Sequence, residues 1–186
     1  PPGTGKTHCL ALSCIHLFEI LSRKGLVPSG MHFRVLVTAF TNTAIETFTE
    51  KLNDLLKQSR QHRAVSAWAN DVVVYPLHAT NEIPKKVFEA KLSVMTGSVW
   101  SVWKRCHNRK KGKLFFDLLI IDEASQLLVA DASIPLNCVN PRGGRVLISG
   151  DHLQLRPLLK MSYPLPATMR DPLLATGILQ CLLRTR

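Results

Sequence analysis

Apolar and polar positions alternate along the chain in two recurring patterns. In residues 5–24 the apolar positions recur every three or four residues, which predicts an amphipathic helix. Residues 33–40 are apolar almost without interruption and rich in β-branched side chains, which is typical of a strand buried inside a parallel sheet. The further predicted helices are 43–58, 84–92, 98–104 and 171–183, and the further predicted strands are 71–75, 93–97, 114–121 and 145–149. Strands that alternate with helices predict an α/β fold with a mainly parallel sheet.

The first seven residues, PPGTGKT, match the end of a phosphate-binding loop, G-x-x-x-x-G-K-[ST], without its leading glycine. Gly3 and Gly5 allow backbone N–H groups to face a phosphate chain, and the helix that follows adds the positive end of its dipole. Lys6 is placed to meet the β- and γ-phosphates, and Thr7 offers a hydroxyl to Mg²⁺. The loop predicts a nucleotide site, and the alternative is an ordinary turn before a helix.

Polar side chains follow two of the predicted buried strands. Asp122 and Glu123 come directly after strand 114–121, and adjacent carboxylates there are costly unless a cation lies beside them. In a chain with a phosphate loop that cation is Mg²⁺, so Asp122 is predicted to hold the metal or its water and Glu123 to deprotonate an attacking water. The alternative is a helix N-terminus whose acids suit its dipole. Gln154, which follows strand 145–149, can contact a γ-phosphate or its attacking water without competing for the metal.

Residues 41–46, TNTAIE, come directly after strand 33–40 and have two interpretations. Thr43 and Glu46 have the spacing of a capping box, so a helix cap explains the segment on its own. A Thr-Asn pair at the C-terminal end of a parallel strand also lies where ligands of open α/β sheets bind.

Composition narrows the class of protein. A length of 186 residues is enough for one domain with a sizeable core. Five cysteines without metal-ligand spacing predict reduced thiols in an intracellular protein, in the nucleus or the cytoplasm, and no apolar run is long enough to cross a bilayer. With 24 Lys+Arg against 13 Asp+Glu the formal charge is +11, which favours a polyanionic partner.

Residues 98–113 contain two features with a structural and a functional interpretation. Trp100 and Trp103 share one face of the predicted helix, and such a face is more often core than a platform for stacking bases. Residues 104–113 hold six basic side chains and no acidic one. Such a run is usually a solvated loop, and in a protein that meets nucleic acid it is also a candidate phosphate contact.

The segments PPGTGKT, TNTAIE, DEASQ and GDHLQLRP, in this order, resemble the motifs of the first RecA-like domain of superfamily-one helicases. The forms DEASQ and GDxxQLxP resemble the branch of the nonsense-mediated-decay RNA helicase and its DNA- and RNA-acting relatives. The resemblance implies a three-layer P-loop NTPase fold over residues 1–186, lacking its first strand. We expect the chain to be part of a longer protein, because a phosphate loop normally follows a buried strand.

The resemblance also implies ATP and Mg²⁺ as cofactors and a set of site residues. The implicated residues are Gly3, Thr4, Gly5, Lys6 and Thr7 for ATP, Thr7 and Asp122 for the metal, Lys6, Asp122, Glu123 and Gln154 for hydrolysis, and Thr41, Asn42 and Thr96 for the nucleic acid backbone.

A helicase or translocase that couples ATP hydrolysis to movement along single-stranded RNA or DNA is therefore expected, with a second RecA-like domain of the parent chain as partner and no membrane partner. That second domain supplies arginine fingers, which are worth about 10³–10⁵ in rate in related sites, so these residues alone are expected to hydrolyse ATP weakly. The alternative is a nucleotide-switched scaffold or transcriptional coregulator with the same fold and little unwinding.

Overall fold

The computed structural model describes residues 5–61, 66–79, 82–107, 113–151, 157 and 176–184. The helices in this part of the chain are α1 (Lys6–Arg23), α2 (Asn42–Gln61), α3 (Ser66–Asn70), α4 (Lys85–Glu89), α5 (Val99–Cys106), α6 (Val129–Leu136) and α7 (Ile178–Arg184). The strands are β1 (Phe33–Ala39), β2 (Val72–Pro76), β3 (Leu92–Thr96), β4 (Leu118–Asp122) and β5 (Arg145–Ile148). None of these helices has the length and apolar composition needed to span a bilayer.

The five strands form one sheet in the order β2-β3-β1-β4-β5, and every pairing in it is parallel. The predicted α/β fold with a parallel sheet is therefore confirmed. Because the strands run in the same direction, the segments that follow β1, β3, β4 and β5 meet at one edge of the sheet, which we call the C-terminal edge. Ligands of open parallel sheets bind at this edge.

Successive side chains of β1 enter two separate buried clusters. Val35 and Val37 pack with α1, α2 and α3, whereas Leu36 packs with α4 to α7 on the other face. This alternation follows from the two-residue period of a strand. Helices on both faces of the sheet make the three layers that the family resemblance implies.

Helix α2 begins at Asn42, and its cap is not the residue that the sequence pattern indicated. The Thr41 hydroxyl accepts a hydrogen bond of 3.1 Å from the backbone N–H of Ala44. Thr43 lies inside the helix, so its prediction as the capping residue is wrong. Threonine suits a helix cap at both positions, but only Thr43 has a glutamate three residues later, so the sequence pattern indicated the wrong one.

Two segments after residue 113 differ from the prediction. Strand β4 covers only the second half of predicted strand 114–121, because Phe116 makes an isolated bridge with Val139 before it. Strand β5 was expected to be buried, but Val146 and Leu147 are each 41% exposed. Within the described sheet β5 is an edge strand that pairs with β4, so one side of it has no neighbouring strand. Helix α6 was not predicted, and its internal proline weakens the helical signal.

Helix α5 turns a different face to the core from the one that its tryptophans indicated. Val99, Val102 and Cys106 are buried, whereas Trp100 is 64% exposed and Trp103 is 53% exposed. The interpretation of the two tryptophans as core residues is therefore wrong. The valine stripe is offset by one position from the tryptophan stripe, and only one of the two can face the sheet.

The exposure of the thiols on α1 predicts a large difference in reactivity. Cys9 is exposed, whereas Cys14 is buried and burial raises its pKa to about 12. A pKa of about 12 leaves about one Cys14 thiol in 10⁴ ionised at pH 8, and the thiolate is the reactive form. We expect a maleimide at pH 8 to label Cys9 and leave Cys14 unmodified, as timed mass spectrometry of the peptides would show. Equal labelling rates would contradict the placement of α1.

Candidate functional site

Helix α1 begins directly behind the predicted phosphate loop. Gly5 precedes the helix with φ 75° and ψ 19°, a left-handed conformation that glycine adopts without strain. Lys6 and Thr7 are the first residues of the helix, both are half-buried, and the first turn contains no acidic side chain. The N–H groups of this turn and the helix dipole are therefore suited to an anion. Gly3 and Thr4 lie outside the described residues.

A direct hydrogen bond joins this helix to the Asp-Glu pair. The Thr7 hydroxyl donates to Asp122 Oδ2 at 3.0 Å, across 115 residues of sequence. Asp122 is the last residue of β4 and only 2% exposed, and its Oδ1 accepts a bond of 2.9 Å from the backbone N–H of Glu123. Two segments that were both predicted to serve a nucleotide are thus in contact.

Glu123 is held in an unusual backbone conformation. Its φ of 51° makes it the one non-glycine residue with a positive φ in the part of the chain that the structure describes. Such conformations persist where the surrounding structure enforces them, and they concentrate at functional sites. The carboxylate Oε2 accepts a hydrogen bond of 3.2 Å from the Thr41 hydroxyl. Because Thr41 follows β1 and β1 is the neighbour of β4, the fold fixes where this carboxylate lies.

The oxygen atoms of Thr7 and Asp122 are chemically suited to a magnesium ion. Hydroxyl and carboxylate oxygens are hard ligands of the kind that Mg²⁺ prefers, and Thr7 Oγ1 and Asp122 Oδ2 lie 3.0 Å apart. Within the described ranges no three His, Cys, Asp or Glu side chains form a metal-binding group. Mg²⁺ usually keeps several waters and binds substrate phosphates, so one carboxylate and one hydroxyl could hold it beside a bound nucleotide.

The segment after β5 packs against the same loop. The backbone N–H of Ala124 donates to the Ser149 carbonyl at 2.9 Å. A Cβ on Gly150 would lie 3.0 Å from a methyl carbon of Leu179, 3.1 Å from the Ser125 nitrogen and 3.2 Å from the Ala124 nitrogen, so glycine permits this close approach. The start of the GDHLQ segment is therefore beside the Asp-Glu pair. Gln154 itself lies outside the described residues.

The three residues predicted to contact nucleic acid all lie at the C-terminal edge, but they differ in exposure. Thr41 is half-buried and Asn42 is exposed. Thr96 is fully buried, and its hydroxyl oxygen lies 3.0 Å from that of Thr49. The Thr96 side chain is thus inaccessible to a strand in this structure, and its contact with nucleic acid stays a prediction.

Sequence reasoning missed two features of this edge. It gave Thr41 no contact with the Glu123 carboxylate, and it gave Thr49 no role although Thr49 Oγ1 reaches both Thr96 and the Ile45 carbonyl. Thr49 is a hydroxyl residue two turns into α2, and its spacing from Thr41 and Ile45 is the signal that places it on the helix face toward the sheet.

A parallel sheet between two helical layers, with a helix N-terminus bonded to an Asp-Glu pair at the C-terminal edge, is the arrangement of RecA-like P-loop domains. The AAA domain family matches residues 1–160. The chain belongs to this family, as the first RecA-like domain of a superfamily-one helicase.

Named relatives include two fungal proteins. The chain is 30% identical over 164 residues to the DNA replication ATP-dependent helicase/nuclease DNA2 of Saccharomyces cerevisiae, a match that covers 86% of this chain and 10% of the yeast protein. It is 26% identical over 210 residues to the DNA polymerase alpha-associated DNA helicase A of Schizosaccharomyces pombe, covering 88% of this chain and 30% of that protein. The chain thus spans less than a third of either relative.

Among solved structures, the chain aligns with a nuclease-deletion mutant of the Type ISP restriction-modification enzyme LlaGI in complex with a DNA substrate mimic. The TM-score is 0.45 and the sequence identity 18%, and the alignment covers 100% of this chain and 18% of that chain.

Proposed function

We propose that this domain binds ATP with Mg²⁺ and single-stranded nucleic acid, and that it couples hydrolysis to movement along the strand as one of two motor domains in a longer protein. One observation carries the proposal: a continuous hydrogen-bonded path runs from Thr7 through Asp122 and Glu123 to Thr41. The path connects the helix behind the phosphate loop to the segment predicted to contact nucleic acid. The relatives, which are named as helicases, support the same activity.

The nucleotide part of the site follows from the positions of four side chains. Lys6, in the first turn of α1, meets the β- and γ-phosphates of ATP. Thr7 and Asp122 would hold Mg²⁺, which would supply positive charge to the phosphates during hydrolysis. Glu123 accepts the proton of the attacking water, because its Oε2 is held by Thr41 and the carboxylate keeps a second oxygen as acceptor.

The coupling between nucleic acid and hydrolysis runs through Thr41. Its hydroxyl bonds Glu123 and caps α2, and the next residue, Asn42, is exposed at the C-terminal edge. A strand that contacts Asn42 acts on the same turn of backbone that positions the Glu123 carboxylate. Binding of the strand therefore changes the orientation of the base, and with it the rate of hydrolysis.

The test is ATP hydrolysis by the full-length protein with and without single-stranded RNA or DNA, at two salt concentrations. We expect one polymer to stimulate hydrolysis and high salt to weaken the stimulation, because counterion release drives binding to phosphates. Thr41→Val is expected to lose most of the stimulation. Thr41→Ser, which keeps the hydroxyl and the helix cap, is expected to retain it.

Two results would count against this function. Hydrolysis that neither polymer changes would favour a nucleotide-switched scaffold over a motor. Stimulation that is equal in Thr41→Val and Thr41→Ser would show that coupling does not pass through the Thr41 hydroxyl.

A further inference from the structure

We propose that Trp100, Trp103 and Phe40 together form a surface on which unpaired bases of a single strand stack. We call these three residues the aromatic surface. The proposal rests on the proposed function, since it names where the strand's bases lie while the residues of the C-terminal edge contact its backbone. All three side chains are large, aromatic and exposed, by 45% for Phe40, 64% for Trp100 and 53% for Trp103.

The topology brings this surface to the edge that carries the rest of the site. Helix α5 begins three residues after the end of β3, and β3 is the hydrogen-bonded neighbour of β1, with Thr96 in register with Val37. The Gly97 N–H continues the pairing by donating to the Val37 carbonyl at 3.0 Å. Phe40 directly follows β1, and Asn42 comes two residues later. The first turn of α5 therefore starts from the same edge of the sheet as Phe40 and Asn42.

Helix α5, which carries the two indoles, packs closely against the rest of the domain. Val102 and Cys106 are completely buried against the sheet, so the helix is anchored along its inner face. At its start Ser98 caps the helix by accepting a bond of 3.4 Å from the Ser101 N–H. A Cβ on Gly97 would lie 3.0 Å from Leu77, so this turn is closely packed. A rigid support lowers the entropy that binding would otherwise lose.

The exposure of the two indoles is not explained by the core. Single exposed apolar residues are common on protein surfaces, but these are two of the chain's three tryptophans on one helix face. The third, Trp68, is only 4% exposed and packs in the cluster of α1, α2 and α3. Packing within the described residues therefore leaves these two indoles uncovered, and a bound ligand would bury them.

The charge around the aromatic surface favours a polyanion as that occupant. Lys104 follows Trp103 directly and is exposed, and Lys113 lies near the end of α5, because the backbone N–H of the next residue, Leu114, donates to the Cys106 carbonyl at 3.1 Å. The chain as a whole carries a formal charge of +11. Flat aromatic faces beside cations suit a ligand that is both anionic and aromatic, and a single strand offers unpaired bases along a phosphate backbone. A duplex keeps its base faces stacked inside.

The experiment compares two oligonucleotides with the full-length protein. One is a labelled single strand, and the other is an abasic strand with the same number of phosphates. We expect Trp100→Ala and Trp103→Ala each to weaken binding of the normal strand about 5- to 150-fold, the range for loss of one stacked base, and to leave binding of the abasic strand unchanged. Trp103→Tyr is expected to restore most of the affinity, because it keeps an aromatic face.

Salt dependence and a matched control separate stacking from other effects. The tryptophan variants are expected to keep the wild-type dependence of affinity on salt, whereas Lys104→Ala lowers its slope because it removes a phosphate contact. Met31→Ala is the control, since Met31 is 61% exposed but precedes β1 at the opposite edge of the sheet. It is expected to bind both oligonucleotides like the wild type.

Four outcomes would overturn the inference. An equal loss with normal and abasic strands would indicate a phosphate contact or a folding defect in place of stacking. Unchanged affinity in both tryptophan variants, with strand-stimulated hydrolysis intact, would refute the aromatic surface and leave the proposed function standing. A wild-type protein that binds no single strand would refute the proposed function and this inference together. Loss of a protein partner with normal strand binding would assign the surface to that partner.

Discussion

Glu123→Gln is expected to lower the rate of ATP hydrolysis by the full-length protein by about 10²–10⁴-fold, the usual contribution of a general base. The amide is as large as the carboxylate and its oxygen can still accept the Thr41 hydroxyl, so the local structure should persist. It cannot take a proton from the attacking water. Nucleotide affinity is expected to stay close to that of the wild type, because Lys6 and Thr7 are unchanged. Steady-state hydrolysis and equilibrium binding of a non-hydrolysable ATP analogue measure the two quantities.

A matched control is available on the neighbouring helix. Glu46→Gln makes the same chemical change at an exposed position of α2, and both quantities are expected to remain at their wild-type values. Hydrolysis at the wild-type rate by Glu123→Gln would show that another residue serves as the base. A large loss of nucleotide affinity in the same variant would instead show that Glu123 contributes to nucleotide binding.

The sequence predicts those parts of the fold that depend on local pattern. The helix at residues 5–24 is observed as α1, and the apolar run at 33–40 is observed as β1, with bounds that differ by a residue. Both are long and strongly patterned, and the pattern reflects burial directly. The polar residues at the ends of strands could be placed at one edge because parallel strands require it.

Contacts that depend on strand order could not be predicted in this way. The hydrogen bond from Thr41 to Glu123 exists because β1 lies next to β4, and nothing in either segment states which strands are neighbours. The exposure of β5 could not be predicted for the same reason, because an apolar sequence does not indicate whether its strand lies in the middle or at the edge of a sheet. For α5 the sequence contains two apolar stripes one position apart, and only packing selects the valines for the core.

Phe48→Ala is expected to lower the free energy of unfolding of this domain by about 3–5 kcal/mol, the usual cost of removing a buried phenyl ring. Phe48 is 1% exposed and lies in the cluster that joins α1, α2 and the sheet. Such a loss is a large part of a typical domain stability of about 5–15 kcal/mol. Because Thr41 and Asn42 lie at the start of α2, loosening this helix also disturbs the link to Glu123. Hydrogen exchange of α2 and β1 in the full-length protein reports the change for this domain alone.

Phe40→Ala makes the identical change eight residues earlier and is expected to alter the free energy of unfolding by no more than about 0.5 kcal/mol, because the ring is 45% exposed. Equal destabilisation by the two variants would contradict the burial that separates these rings. In the oligonucleotide experiment we expect Phe40→Ala, and not Phe48→Ala, to have the direct effect on strand affinity. Phe40→Ala should weaken binding of the normal strand while the domain keeps its stability, whereas Phe48→Ala should impair binding only to the extent that it unfolds the domain. A phenyl ring that stabilises nothing in the domain but contributes to strand affinity is what a stacking surface requires.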